Sequence, residues 1–360
     1  MMTSRECVQR AIKFKKPDRI PLGTMPPGYP TDLHGVGASL DPNWQPKVKT
    51  DLQNEDEFGS IWTKLPGDKT MGQVTFHPLA DFSKLDDYKF PDYKNPVRYD
   101  GARDAVKKNT ENKFVLAGIP LSLIHRLEYL RGHEAAWTDP YEHPEELRRL
   151  LHRLSDIAID AIDRFADMGV HGIMSCDDWG LQDRPMISPA MFAEFWKSAY
   201  QRVYRHAHRR GMLTLLHSCG NIADLLDYFI EAELDVIQMD QQENMGLDNL
   251  AARFGGRLCF WCPVDIQQAM ITGTVADVRA YARRLIDTLG KFNGGFMAKW
   301  YSSPQAVQHT EETIKAMCDE FVNYGSGVEY LLVKQDNCYG RDPFESLATS
   351  YKNLASWGYK

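Results

Sequence analysis

The chain lacks the features that mark several large protein classes. No stretch approaches the roughly 18 consecutive apolar residues of a membrane span. Its opening segment, Met1 to Lys16, is charged and amphipathic, unlike a signal peptide. A cytoplasmic protein with no membrane partner is therefore the expectation. No run of Lys and Arg is long enough to bind nucleic acid or anionic lipid. The formal net charge of -7 and a pI near 5.9 favour small or neutral partners instead. Glycine-rich phosphate loops of the P-loop or dinucleotide type are missing, as is a Gly-x-Ser-x-Gly elbow, so nucleotide hydrolysis and serine esterase chemistry have no support. Self-similarity at a 20-to-50-residue period is also lacking, which argues against a solenoid. The seven cysteines (Cys7, Cys176, Cys219, Cys259, Cys262, Cys318, Cys338) are odd in number and scattered, which is not a disulfide framework. They read as metal ligands or buried thiols.

What remains is an ordinary globular composition. With 360 residues, 43% of them hydrophobic, the chain can bury a large core. Thr3-Ser4-Arg5-Glu6 can form a capping box ahead of an apolar stripe at Val8, Ala11 and Ile12, which predicts a short helix ended by Pro17. Residues 20 to 100 are rich in Pro, Gly and aromatics without sustained periodicity, apart from runs such as Gln73 to Phe76, and read as a cap with small strands. From about residue 100, short apolar segments alternate with helical ones. Strands are expected at Phe114 to Ile119, Gly172 to Ser175, Leu213 to Leu216, Val236 to Met239, Leu258 to Trp261 and Gly295 to Ala298. Helices are expected at Pro144 to Met168, Pro189 to Arg210, Ala223 to Ala232 and Val275 to Leu289. Nearly continuous apolar strands separated by helices indicate an α/β fold with a parallel sheet buried on both faces. The fold expected is one β/α barrel domain over residues 1–360, with residues 1–100 as helix and cap and 101–360 as the main repeats.

Such barrels hold their active sites at the C-terminal strand ends, where the following loops converge. Five successive strand ends here are polar: Cys176-Asp177-Asp178-Trp179-Gly180, His217-Ser218-Cys219-Gly220-Asn221, Asp240-Gln241-Gln242-Glu243, Cys262-Pro263-Val264-Asp265 and Lys299-Trp300-Tyr301. His217 and Cys219 are one residue apart, so on extended backbone both side chains reach the same side. An imidazole and a thiolate together suit zinc, and a His-x-Cys pair also occurs as a buried polar pair without metal. Asp240 and Cys262 are the first candidates for the remaining ligands, and Cys176 is the weaker alternative. Asp177 and Asp178 cannot both face inward, so one faces the mouth while the other caps a helix or holds a loop. Gln241 is a further polar candidate for substrate. Trp179, Trp300 and Tyr301 either line the mouth for a flat ligand or simply seal it. Cys7, Cys318 and Cys338 lie on or near helices and read as structural.

At these residues the chain resembles the uroporphyrinogen decarboxylase superfamily. Arg10-Ala11-Ile12 and Pro17-Asp18-Arg19-Ile20-Pro21 are similar to its N-terminal signature. Ser188-Pro189-Ala190-Met191-Phe192, His217-Ser218-Cys219-Gly220-Asn221 and Gly294-Gly295-Phe296 are similar to its internal landmarks. The resemblance implies a single eight-stranded (β/α)8 TIM-type barrel. Within the superfamily, true decarboxylases carry an early Arg-Gln-Ala-Gly-Arg segment for substrate carboxylates, where this chain has Gly23-Thr24-Met25-Pro26-Pro27-Gly28. The corrinoid-dependent methyltransferase branch is the closer match.

That branch implies zinc on His217 and Cys219, with Asp240 as an acidic ligand. Trp300-Tyr301-Ser302 stands where a second cysteine is expected, so either Cys262 substitutes or the site is altered. The function implied is methyl exchange between a small methylated substrate, such as an aryl methyl ether, or a thiol and a corrinoid carried by a partner protein. Two alternatives are a metal-free decarboxylase or lyase using Asp177 or Asp178 as its acid/base group, and a non-catalytic barrel that binds a tetrapyrrole or corrinoid. Homo-oligomerisation is left open.

Overall fold

In the computed structural model the described residues are 2–68 and 70–325, with Thr349 and Lys352. The chain divides into a unit spanning Met1–Ser326 and a second spanning Gly327–Lys360. Cys338 lies outside the described residues. Among the described residues ten strands run in chain order: β1 (Leu33–Gly37), β2 (Gln53–Glu55), β3 (Ile61–Thr63), β4 (Gln73–Phe76), β5 (Phe114–Gly118), β6 (Gly172–Cys176), β7 (Leu213–His217), β8 (Val236–Gln238), β9 (Cys259–Cys262) and β10 (Phe296–Ala298). Seven form a parallel sheet in the order β1-β5-β6-β7-β8-β9-β10, and β2-β3-β4 form a separate antiparallel sheet.

The segment Pro21–Thr24 bridges the two edges of the large sheet. The Ala298 amide donates to the Pro21 carbonyl at 2.9 Å and the Gly23 amide to the Ala298 carbonyl at 2.7 Å, while the Asp32 amide donates to the Leu22 carbonyl at 2.7 Å. Asp32 also accepts from the Leu22 amide at 2.8 Å and from both arms of the Arg19 fork. The sheet thus curls into a TIM-type α/β barrel whose closing stave is too short to count as a strand. Two staves come from residues 21–37, a stretch whose glycines and prolines hide any strand periodicity.

Side-chain alternation sorts the strands into two faces. Phe114, Leu116, Leu213, Leu215, Val236, Cys259, Trp261 and Met297 form a cluster inside the barrel. Val8 and Ile12 of the N-terminal helix Ser4–Ile12 pack into this cluster. Val115, Ala117, Ile173, Leu216, Ile237, Phe260 and Cys262 face the surrounding helices. The helix that plugs the barrel is capped by the Thr3 hydroxyl, which accepts the Glu6 amide at 3.2 Å.

All six strands expected from sequence form. The long helix Pro144–Ala166 and the helix Val275–Leu289 also match. Two helices differ. The stretch from Pro189 breaks at Trp196 into Pro189–Phe195 and Lys197–Arg209, where the Trp196 indole packs edge-on against Trp179. The next helix starts only at Leu226, because the Asn221 side chain takes the Ala223 amide into a turn. The cap is pinned by Arg98, forked at 2.9 and 2.6 Å on Glu57, both side chains buried. Among the described residues no helix is long and apolar enough to cross a membrane.

His171, just before β6, accepts the Val115 amide on Nδ1 at 2.8 Å. Burial, with Arg5 adding to it, lowers its imidazole from 6.5 to about 4. Between those values the unfolded chain binds a proton that the folded chain refuses. Stability should therefore fall as pH drops from about 6.5 to about 4 and level off below. Urea unfolding across that range checks this, and His171→Asn, which keeps an acceptor but does not titrate, should flatten the slope.

Candidate active site at the barrel mouth

The inward positions of β6 and β7 end level with each other, Cys176 opposite His217, and His217 is level with Gln238 on β8. Sequence alternation thus carries the apolar series Leu213, Leu215 directly into His217. The loops after β6 and β7 are joined backbone to backbone. The Gly180 amide donates to the Cys219 carbonyl at 3.1 Å and the Asn221 amide to the Leu181 carbonyl at 2.7 Å. Gly220 sits at φ +75° with the Gly180 carbonyl so near that a Cβ would lie 2.2 Å from it. Glycine is required there by both conformation and space. The Gly220 amide also donates to Gln241 Oε1 at 2.8 Å, so Gln241 helps hold the loop.

A chain of polar contacts orients the His217 ring. Lys299 Nζ lies 2.7 Å from Asp240 Oδ1, both largely buried. Gln238 Nε2 donates to the same oxygen at 3.0 Å, and its Oε1 faces His217 Nδ1. An ionised carboxylate only accepts, so the Gln238 amide must turn its NH2 to Asp240 and its oxygen to the imidazole. Nδ1 then donates to Gln238, and Nε2 is the ring nitrogen turned to the mouth, 3.3 Å from Cys219 Sγ and 3.5 Å from Asp178 Oδ1. Ligand atoms of Cys176, Asp178 and His217 all lie within 4.8 Å of one another.

Both thiols are protonated as they stand. Desolvation inside the mouth, then the carboxylates of Asp178, Asp177 and Asp240, push Cys176 up to about 12, even though the residue opens to solvent. Burial and the charges of Asp178 and Asp240 raise Cys219 further. A bound cation would reverse this balance, since coordination deprotonates a thiol.

The two aspartates have separate places. Asp178 accepts the Cys219 amide on Oδ1 at 2.8 Å and turns Oδ2 to His125 Nε2 at 3.8 Å. Asp177 is fully buried and caps the helix Leu123–Arg131 from another strand. It accepts from Ser122 Oγ at 3.0 Å, from the amides of Leu123, Ile124 and His125, and from the Tyr200 hydroxyl. Burial pushes its carboxyl up, and the His125 charge and these donors oppose that push.

Several sequence-derived candidates lie elsewhere. Cys262 shares the outer face with Phe260 and Val264, behind the barrel wall, so it does not complete a ligand set with His217. The Asp240 carboxylate accepts from Lys299 Nζ at 2.7 Å and from Gln238 Nε2 at 3.0 Å, both on Oδ1. Trp179 is fully buried against Phe192 and Trp196, with Nε1 donating to Tyr200 at 3.0 Å, so it is packing and not rim. Trp300 packs against the outer cluster. Tyr301 is near the centre: burial, Asp240 and Cys219 all raise its phenol, which keeps its proton.

Two residues of the site escaped the sequence reading, and a third was read only in part. Gln238 could have been found, because it is polar at an inward position level with His217. Lys299 was visible only as a strand-end cation. His125 carries no signal, since its place depends on how the helix Leu123–Arg131, which follows β5, docks.

The family model described as uroporphyrinogen decarboxylase (URO-D) matches residues 67–322. No curated protein gives a significant match. Among solved structures, a methyltransferase from Methanosarcina mazei is similar over 90% of this chain and 99% of its own, at 17% identity and a TM-score of 0.63. That likeness shows the fold. An E. coli 3-keto-D-glucoside 4-epimerase (16% identity, 69% and 95% coverage, TM-score 0.39) and a Methylomonas D-allulose 3-epimerase (16% identity, 64% and 82% coverage, TM-score 0.38) are more distant.

Replacing Asp177 by Ala would leave buried amides and two hydroxyls without their acceptor. A loss of about 3 kcal/mol in unfolding free energy is expected, read by denaturant titration. A change below about 0.5 kcal/mol, the usual range for a surface substitution, would mean that Asp177 does not carry the cap.

Proposed function

The chain belongs to the uroporphyrinogen decarboxylase family, and from that premise we propose a zinc-dependent methyltransferase with its metal on His217, Cys219 and Cys176. The observation that supports this reading is the placement of His217 Nε2, turned toward the Cys219 sulfur and the Asp178 carboxylate. An imidazole, two sulfurs and a carboxylate are a donor set suited to zinc. Hydrogen bonding of the other ring nitrogen, here to Gln238, is the usual support for a metal-binding histidine. When bound, zinc supplies Lewis acidity toward the heteroatom of a thiol or ether.

The remaining work belongs to the chain. Cys176 and Cys219 would hold the metal as thiolates and give up their protons to do so, so loading would strengthen with pH. Asp178, with one oxygen held by the Cys219 amide, offers the other to a proton brought in by a thiol. His125 beside it can share that proton. Tyr301 keeps a phenolic hydrogen to donate toward substrate. Methyl exchange would run between a small methylated substrate or a thiol and a corrinoid on a partner protein. The His217-x-Cys219 motif and the fold shared with the Methanosarcina mazei methyltransferase support that choice. A decarboxylase using Asp177 as its acid is disfavoured, because five donors already occupy that carboxylate.

Metal analysis and methyl transfer from methylcobalamin to a small thiol test the proposal together. The wild-type chain should bind zinc. Cys219→Ser should lose both zinc and transfer while keeping its circular dichroism, whereas a metal-free enzyme would tolerate it. Gln238→Leu should weaken zinc binding by about 10- to 100-fold. A wild-type protein that folds but takes up no zinc would overturn the mechanism.

A further inference from the structure

Of the three proposed ligands, two are fixed by the sheet. Cys176 and His217 are the last residues of β6 and β7 and stand opposite each other in the strand register. Cys219 lies beyond the end of β7, on a loop, so strand pairing does not place it. Its backbone is placed by the segment that follows β6. The Cys219 amide donates to Asp178 Oδ1 at 2.8 Å, and its carbonyl accepts the Gly180 amide at 3.1 Å. The Asn221 amide donates to the Leu181 carbonyl at 2.7 Å.

That segment is a strap folded back on itself. The Leu181 amide donates to the Arg184 carbonyl at 2.7 Å and the Met186 amide to the Trp179 carbonyl at 2.8 Å. Isolated bridges join Gly180 to Pro185 and Leu181 to Asn221. The tip, residues 181–184, is exposed throughout, and its one apolar side chain, Leu181, is 41% exposed. Polar contacts alone therefore hold the tip, which puts it at the low-stability end of the fold. Gln182 and Gln267 pair as two amides: Gln182 Nε2 donates to Gln267 Oε1 at 3.1 Å, and Gln267 Nε2 donates to Gln182 Oε1 at 3.4 Å. Gln182 Nε2 also donates to Asn244 Oδ1 at 3.2 Å. Gln267 stands on a fixed post, because buried Asp265 accepts the amides of Gln267, Gln268 and Ala269. Asn221 Nδ2 ties the strap to the same place, donating to the Asp183 carbonyl at 3.2 Å and the Asn244 carbonyl at 3.1 Å. The loops after β6, β7, β8 and β9 thus meet at the tip.

We propose that Gln182 and Gln267 are positioning residues that latch this strap, and that Cys219 is the ligand that swings away when metal enters or leaves. This inference rests on the zinc reading of the His217 cluster and adds how that site exchanges its ion. With the latch closed, the strap keeps both backbone contacts of Cys219. With it open, the Gly180 and Asn221 amides can part from their acceptors and Cys219 loses its hold, while Cys176 and His217 stay on their strands. The latch amides bond to none of the three ligand side chains. Loosening them therefore speeds exchange in both directions and leaves the final zinc content unchanged.

Two measurements on the full-length protein test the latch. Hydrogen exchange at the Gly180 and Asn221 amides reads the strap, and loss of protein-bound zinc to excess EDTA reads the ligand. Gln182→Ala and Gln267→Ala should each raise both rates, by roughly 3- to 10-fold. Zinc content at saturation and thermal midpoint should not change. The double variant should add little to Gln182→Ala, because the same amide pair is lost either way. Gln201→Ala, which removes an amide from the helix Lys197–Arg209, should alter neither rate. Hydrogen exchange unchanged in both latch variants, or faster with zinc loss unchanged, would overturn the latch and leave the metal site standing. Wild-type protein that takes up no zinc would overturn the metal reading and this inference together.

Discussion

The geometry of the mouth depends on one buried ion pair, Lys299 with Asp240. Its effect passes through Gln238, whose amide has only one orientation that satisfies a carboxylate on one side and an imidazole on the other. The consequence is a His217 ring with its Nε2 turned to the mouth. An ion pair this deep is weak evidence for stability, because desolvation offsets much of the attraction. Its contribution here is directional: it holds the charge that orients the His217 ring through Gln238.

The scaffold makes that arrangement local. Inward residues of β7, β8 and β10 continue the barrel's apolar layers up to the rim, where the same alternation presents His217, Gln238 and Lys299 to a common space. Short loops joined through Gly180 and Gly220 keep Cys219 beside the ring. Asp177, one residue before the mouth-facing Asp178, ties the end of β6 to a helix N-terminus, which favours negative charge. Adjacent aspartates thus do different work because a strand turns consecutive side chains opposite ways.

Much of the barrel was legible in the sequence. Six strands were marked by apolar runs, and two long helices by period and capping residues. The stave at Pro21–Thr24 and strand β1 were not, since Leu33-His34-Gly35-Val36-Gly37 has the composition of a loop and gains its strand from neighbours. His217 and Cys219 were legible as strand-end chemistry. Their partners were legible only in part. Cys262 was attractive by its place in sequence order, but one step in strand parity puts it on the helix side of the wall. Cys176, read as the weaker alternative, sits on the correct face and level with His217. Trp179 looked like a rim residue because loop residues have no parity to read. His125 reaches the site only through helix docking, which no local pattern records.

The central claim is that His217 and cysteine sulfur share a metal at this mouth. X-ray absorption at the zinc edge of the metal-loaded protein tests it most directly. The account expects sulfur neighbours at about 2.3 Å together with a nitrogen or oxygen shell near 2.0–2.1 Å, and loss of part of the sulfur signal in Cys176→Ser. A spectrum containing only nitrogen and oxygen neighbours would contradict it.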